Sequence, residues 1–318
     1  MPSVLLPYTI ETFHSPNDIP DSIWNAWRDN PCNANVMLPH AEQSRSRTRR
    51  EARSSELWIS CSSNPPSSPT SVDFVLSCTS NHLGHYPIFI FTTLPSEKHT
   101  SEDVIVRLTS MATTLFDLVP KERVFSIFAP ESITRIFSSI WTDITGVGLE
   151  RAEDPEYYAA KISYCTKSSF RPRSKSLLPG MQYELRQARN EDTLAVAQLC
   201  YNFAIESVSI HVTEIASEIS LGILCLQPPF DLSREDAIRE ASSMIENGQL
   251  WVHEIRYHRQ PPEIASIVAV TRNSSAIATI TKVYTNPAWR GKGCAERLVR
   301  KVSKQYVGYH HQGVPGMS

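Results

Sequence analysis

The residues of this chain best suited to hold an anion are Arg290, Gly291, Lys292, Gly293, Cys294 and Ala295, which read R-x-x-G-x-A. Glycines let a backbone approach a bound group closely and turn left-handed without steric cost. Where such a turn opens a helix, unpaired N–H groups and the positive end of the helix dipole face the anion, and Lys292 adds a point charge. Two other phosphate-binding patterns, G-x-x-x-x-G-K-[ST] and G-x-G-x-x-G, are absent. His310-His311 lacks a carboxylate partner and predicts no metal site.

The elements around the glycines must place them at a helix start. Ala276 to Thr285 (AIATITKVYT) is rich in β-branched residues and predicts a strand with Ile277, Thr279, Thr281, Val283 and Thr285 on one face. Asn286-Pro287 ends it. Beyond the glycines, Ala295, Leu298, Val299 and Val302 recur at helical spacing, while Glu296, Arg297, Arg300 and Lys301 face away. The order is strand, proline turn, glycine turn, helix.

That string, V-Y-T-N-P-A-W-R-G-K-G-C-A, resembles the acetyl-CoA-binding motif of the GNAT N-acetyltransferase superfamily. The resemblance implies that Arg290 to Ala295 cradle the pyrophosphate of acetyl-CoA through backbone N–H groups. It also implies that Val283 and Thr285 lie on a splayed strand beside the pantetheine arm, Thr285 standing where the family usually has Val. The implied reaction is direct attack of a primary amine on the coenzyme's thioester, with no metal. Such an attack needs a base for the amine's proton. Glu254 is the candidate if strand alternation turns it to the cleft, with Trp251 and His253 on the opposite face, and His253 competes for the role from that other face. The amine acceptor, small molecule or protein, is not readable from these residues.

Upstream the expected order continues. Tyr183 to Ala188 is a first strand, and Asn190 opens a helix with Val196, Leu199, Cys200 and Phe203 in one stripe. Ser233 to Asp236 approaches a capping box for a helix with Ile238, Ala241 and Ile245 inward, closed by Asn247-Gly248. Leu250 to Arg256 and Glu263 to Arg272 are strands, and Asn273 to Ser275 a turn. The family's domain continues past this helix into further strands. After Val302 the chain reads SKQYVGYHHQGVPGMS, without an apolar run suited to a buried strand. The expectation is therefore a C-terminal domain with its closing strands missing, and the alternative function is an inactive or truncated isoform that acts only in interactions. Val208 to Gln227 fits either a substrate lid or a translated intron, since Val-Ser is the in-frame product of a splice-donor consensus; Val302-Ser303 begins the tail in the same way.

The whole chain reads as α/β, with two GNAT-like mixed sheets flanked by helices in tandem. The expected division is a degenerate N-terminal domain over 1–165, a linker over 166–182 and the acetyltransferase domain over 183–318. In the first domain, Leu57 to Cys61, Val72 to Cys78, Tyr86 to Thr92, Arg123 to Phe128 and Tyr158 to Cys165 are predicted strands. Val104, Leu108, Met111 and Leu115 mark one helix, and Ile133, Phe137, Ile140 and Ile144 another. No glycine turn stands between Thr93 and Asp103, so no coenzyme site is expected there. Length (318 residues) and 41% hydrophobic content suit two cores, and a net charge of −2 gives no general attraction to nucleic acid or anionic membrane. The arginines of Ser44 to Arg53 have no interleaved aromatics and predict a solvated loop. No apolar run approaches the length of a membrane span, and the N-terminus lacks a signal-peptide pattern. Seven cysteines without C-x-x-C pairs point to reduced thiols, so the expected location is the cytosol, with the nucleus as the other candidate.

Overall fold

The computed structural model describes residues 7–46, 56–64, 69–81, 84–148, 162–171, 180–212, 232–256 and 260–309. Two compact units divide the chain, Met1–Ile162 and Ser163–Ser318.

In the first unit, β1 (Tyr8–Phe13), β2 (Leu57–Ser63), β3 (Ser71–Cys78), β6 (Ile88–Thr92) and β7 (Ile127–Phe128) form a sheet in the order β1-β2-β3-β6-β7. All neighbours are antiparallel except β6 and β7. The two-residue strands β4 (Ser80–Asn81) and β5 (Gly84–His85) make a separate hairpin. Helices α4 (Glu102–Leu118) and α5 (Glu131–Thr145) cover one face, burying Leu108, Met111, Phe137 and Trp141 against Ile59, Phe74 and Ile90. The other face is covered by α1 (Asp21–Asp29), α2 (Pro31–Ala34) and α3 (Leu38–Ser46), where Trp24 and Trp27 pack with Trp58, Val75 and Phe91. With helices on both sides the central strands are buried on both faces, and β2 and β3 show no exposed alternation along most of their length.

The strand expected over Arg123 to Phe128 is reduced to Ile127–Phe128. Lys121–Arg123 closes a 3-10 turn after Pro120, and the Arg123 guanidinium is spent on the Tyr86 and Thr79 carbonyls at 2.9 and 2.6 Å. Of the strand expected over Tyr158 to Cys165, residues 158–161 lie outside the described residues, and Ile162 to Cys165 are exposed without regular structure. Ser44, Arg45 and Ser46 end helix α3 rather than opening a loop. The remainder of that basic run lies outside the described residues.

In the second unit, β8 (Gln182–Gln187), β9 (Leu250–Arg256), β10 (Glu263–Asn273) and β11 (Ala278–Thr285) form an antiparallel sheet in the order β11-β10-β9-β8. Helices α6 (Thr193–Val212) and α7 (Arg234–Glu246) pack on one face through Val196, Leu199, Cys200, Ala237 and Ala241 over Val252, Ile267, Ala269 and Tyr284. Helix α8 (Cys294–Tyr309) packs on the other through Leu298 and Val302 over Trp251, Val268 and Val270. Ser233 caps α7 by accepting from the Asp236 N–H at 3.0 Å. The buried stripe of α7 runs through Ala237, Ala241, Met244 and Ile245; Ile238, expected inward, is 40% exposed.

One further expectation is corrected. The face drawn through Ile277, Thr279, Thr281, Val283 and Thr285 breaks at Thr281. Lys282 pairs with Ala269, but Ile280 pairs with Val270 and Thr279 with Arg272. Thr281 and Thr271 are each an extra residue in their strand, and their hydroxyls bond each other at 2.7 Å. A bulge moves what precedes it onto the opposite face, so Ala278 and Ile280 join Val283 over α8. The helix also continues past Val302, into the stretch whose sequence carries no strand signal. Helix α8 runs on to Tyr309, with Val302 fully buried and Tyr306 packed in the same cluster as Trp251. The segment Val208 to Gln227 is helical as far as Val212 and otherwise lies outside the described residues.

Candidate functional site

Strand β11 is an edge strand among the described residues, and its end leads straight into the glycine turn. Asn286 ties the exit to the sheet by donating its N–H to the Ala265 carbonyl at 2.9 Å, and its side chain caps a 3-10 turn over Pro287–Trp289. Gly291 and Gly293 both hold left-handed backbone, φ 73° and 70°, a conformation that costs other residues roughly 1–2 kcal/mol. Helix α8 begins at Cys294. Within the described residues the N–H groups of Gly291, Lys292, Gly293, Cys294 and Ala295 donate to no acceptor. The turn is thus a row of unpaired donors at a helix N-terminus.

The cationic side chains of the turn are tied back. Lys292 Nζ donates to the Ala288 carbonyl at 3.1 Å and lies 4.3 Å above the Trp289 ring. Arg290 donates through Nε to the Thr285 carbonyl at 3.1 Å and pairs with Glu206 of α6 at 2.5 Å. The donors left facing outward are therefore those of the backbone. Glu206 also accepts from the Tyr284 hydroxyl at 2.6 Å. Burial, and then this hydrogen bond, pushes the Tyr284 phenol up to about 12. The bonds from Tyr284 and Arg290 hold the Glu206 carboxyl below its ordinary range.

Beneath the turn, on the α8 face, lies a polar row across three strands: His253 opposite Ser266, and Ser266 opposite Thr285. The Thr285 and Ser266 hydroxyls bond at 2.7 Å, so the hydroxyl of Thr285 is satisfied inside the sheet. His253 is fully buried, and its Nδ1 meets the Cys294 carbonyl at 3.3 Å. Burial, aided by the Arg297 charge, pushes the imidazole down to about 4 against the pull of that hydrogen bond. Arg297, expected on the outward face, instead returns to the Lys292 carbonyl at 2.6 Å and stacks on Tyr183, whose edge meets His253.

Glu254 is on the α6 face, opposite to His253 and Trp251, as its alternation predicts. It is 3% exposed and accepts from Arg186 at 3.1 and 2.5 Å and from Arg256 at 2.7 Å. Arg186 also grips Asp192 at 2.6 and 3.0 Å. Burial raises the Glu254 carboxyl, but the two guanidiniums outweigh it and the net shift is downward. This network lines a pocket of about 540 Å³ with Arg189, Gln198, Asn202, Glu263 and Asn286. Val283 is level with Val268 and Trp251, so Glu254 stands three residues, about 10 Å, further along β9. Sequence periodicity did not reveal Glu206, Arg186 or Asp192, because their partners come from elements remote in the chain. No group of residues suited to a metal ion occurs among the described residues, and none of the described helices is long and apolar enough to cross a membrane.

These features make the glycine turn a candidate anion site, at a helix start and at the end of a strand that is an edge among the described residues. No protein-family model matches the chain, and no curated protein does. Among solved structures it is similar to a tandem GNAT protein from the clavulanic acid biosynthesis pathway, determined without AcCoA. The alignment covers 95% of this chain and 86% of that one, with a TM-score of 0.42 and 10% sequence identity.

Proposed function

We propose that the second unit binds acetyl-CoA and transfers its acetyl group to a primary amine. The observation that carries this reading is the row of unpaired N–H groups from Gly291 to Ala295, shaped by two left-handed glycines at the start of α8. Such a row suits the pyrophosphate of the coenzyme, and the edge of β11 at Val283 and the Thr285 N–H, unpaired among the described residues, suits the amides of its pantetheine arm; the Thr285 carbonyl is already taken by Arg290. The acceptor nitrogen attacks the thioester carbon, the carbon–sulfur bond breaks, and the thiolate leaves. The amine's proton passes to a base or to water.

Glu254 is the chain's candidate for that base. Its two arginine partners lower its basicity, so its part in this reading is to hold an ammonium at the pocket or relay a proton through water. Glu206 is nearer to the strand stretch expected to carry the thioester, since it bonds Tyr284, the neighbour of Val283. The test is titration with acetyl-CoA followed by thermal shift and calorimetry. Saturable binding is expected, and Gly293→Glu, which puts a carboxylate in the cradle, is expected to abolish it. Absence of binding to the wild type at millimolar coenzyme overturns the reading.

A further inference from the structure

Three carbonyls of the glycine turn are held from below. Lys292 O accepts from Arg297 Nη1 at 2.6 Å, Gly293 O from the Arg297 backbone N–H at 3.1 Å, and Cys294 O from His253 Nδ1 at 3.3 Å. In a trans peptide unit the carbonyl of one residue and the N–H of the next point in opposite directions. Drawing these three carbonyls down turns the N–H groups of Gly293, Cys294 and Ala295 outward. The direction of each donor in the cradle is therefore set by a bond on the far side of its own peptide plane.

We infer that His253 and Arg297 are positioning residues for the coenzyme cradle, aiming its N–H groups by tethering its carbonyls. This rests on the acetyl-CoA reading above. The acceptor on Cys294 is a carbonyl, so Nδ1 of His253 must carry the proton and Nε2 is a bare lone pair. The histidine is fully buried, and its Nε2 has no partner among the described residues. A core position that needed only an aromatic ring would be filled by Phe without leaving that nitrogen unpaired, a choice that costs about 1–3 kcal/mol. The donor at Nδ1 is what the ring adds. Tyr183 joins the two tethers: its ring stands edge-on to His253 at 5.1 Å and under the Arg297 guanidinium at 5.8 Å. His253 lies on β9 and Arg297 on the first turns of α8, so the cradle is set by the sheet as well as by its own glycines.

The experiment compares wild type, His253→Phe, His253→Asn and Arg297→Met. Acetyl-CoA affinity is expected to fall on the order of 10-fold in His253→Phe and in Arg297→Met, as for one lost hydrogen bond. His253→Asn, whose amide nitrogen replaces Nδ1, restores most of it. In turnover the loss falls on KM for the coenzyme and leaves kcat unchanged, a split that general damage to the fold would not give. Hydrogen exchange at Leu298 and Val299, the first amides bonded within α8, is expected to speed up in His253→Phe and recover in His253→Asn. That readout needs no coenzyme: if the wild type binds none, the proposed function fails while exchange still decides the tether. Unchanged affinity and exchange in both His253→Phe and Arg297→Met overturn the inference. If His253→Phe does not fold, half-buried Arg297 carries the test.

Discussion

Thr285 and Ser266 share a hydrogen bond of 2.7 Å, hydroxyl to hydroxyl, across the β10–β11 pair. Ser266 is fully buried, so its hydroxyl depends on half-buried Thr285. Thr285→Val strands the buried Ser266 hydroxyl and is expected to cost about 1–3 kcal/mol; Ser266→Ala strands only the half-buried Thr285 hydroxyl and is expected to cost less. The double variant removes both and is expected to be closer to the wild type than the sum of the singles. A double-mutant cycle by urea unfolding measures this coupling; strict additivity would exclude it.

Gly291 has φ 73° and no atom within 4 Å of a built Cβ. A side chain there meets backbone strain and no clash, so Gly291→Val should cost roughly 1–2 kcal/mol. The melting temperature is then expected to drop by about 2–8 °C, as calorimetry can measure. An unchanged melting temperature would show that the turn is not left-handed in solution.

The buried imidazole of His253 makes stability depend on pH in a defined window. Its folded-state value is pushed down to about 4, against 6.5 for the free side chain, so between these values the unfolded chain binds the extra proton. Stability should therefore decline as pH falls from 6.5 toward 4. His253→Phe should flatten that part of the profile of urea midpoints. A profile with the same slope in both proteins would assign the effect elsewhere.

Asp192 and Glu254 act lower on the pH scale. Burial raises each, but the bonds from Arg186, with Arg189 or Arg256, depress them overall. Their contribution is complete above the ordinary carboxylate range and lost as pH falls through their lowered folded values. Arg186→Met leaves the buried Asp192 with only the Arg189 N–H and the buried Glu254 with only Arg256, and is expected to destabilise by about 3–5 kcal/mol at neutral pH. Part of that loss should be recovered in acid, where the carboxylates protonate. Equilibrium unfolding at pH 7 and pH 4 separates this outcome from simple loss of packing.

Much of the second unit is legible in its sequence because its signals are local. Val196, Leu199 and Cys200 at helical spacing, Ser233 before α7, and Gly291 and Gly293 ahead of an amphipathic run each state a local backbone preference that the fold keeps. What fails is what depends on a neighbour. Thr281 carries no mark of being the extra residue in its strand; that appears only when Thr271 is placed beside it. Ile238 sits at an inward-looking spacing, but Ala237 and Ala241 fill the contact with α6. In the first unit, Trp24 and Trp27 gave no periodic run long enough to announce α1, yet they seal one face of the sheet. Glu206 reads as an ordinary polar residue on α6 until the fold brings Tyr284 and Arg290 to it.

The carbonyls of Lys292, Gly293 and Cys294 are already committed when the protein is alone. A peptide segment in that state has lost its freedom during folding and has little left to lose when an anion arrives. The ordering entropy that a mobile loop would charge against affinity is thus met beforehand by the stability of the sheet. Anything that loosens β9 should weaken anion binding at a turn it does not touch in sequence.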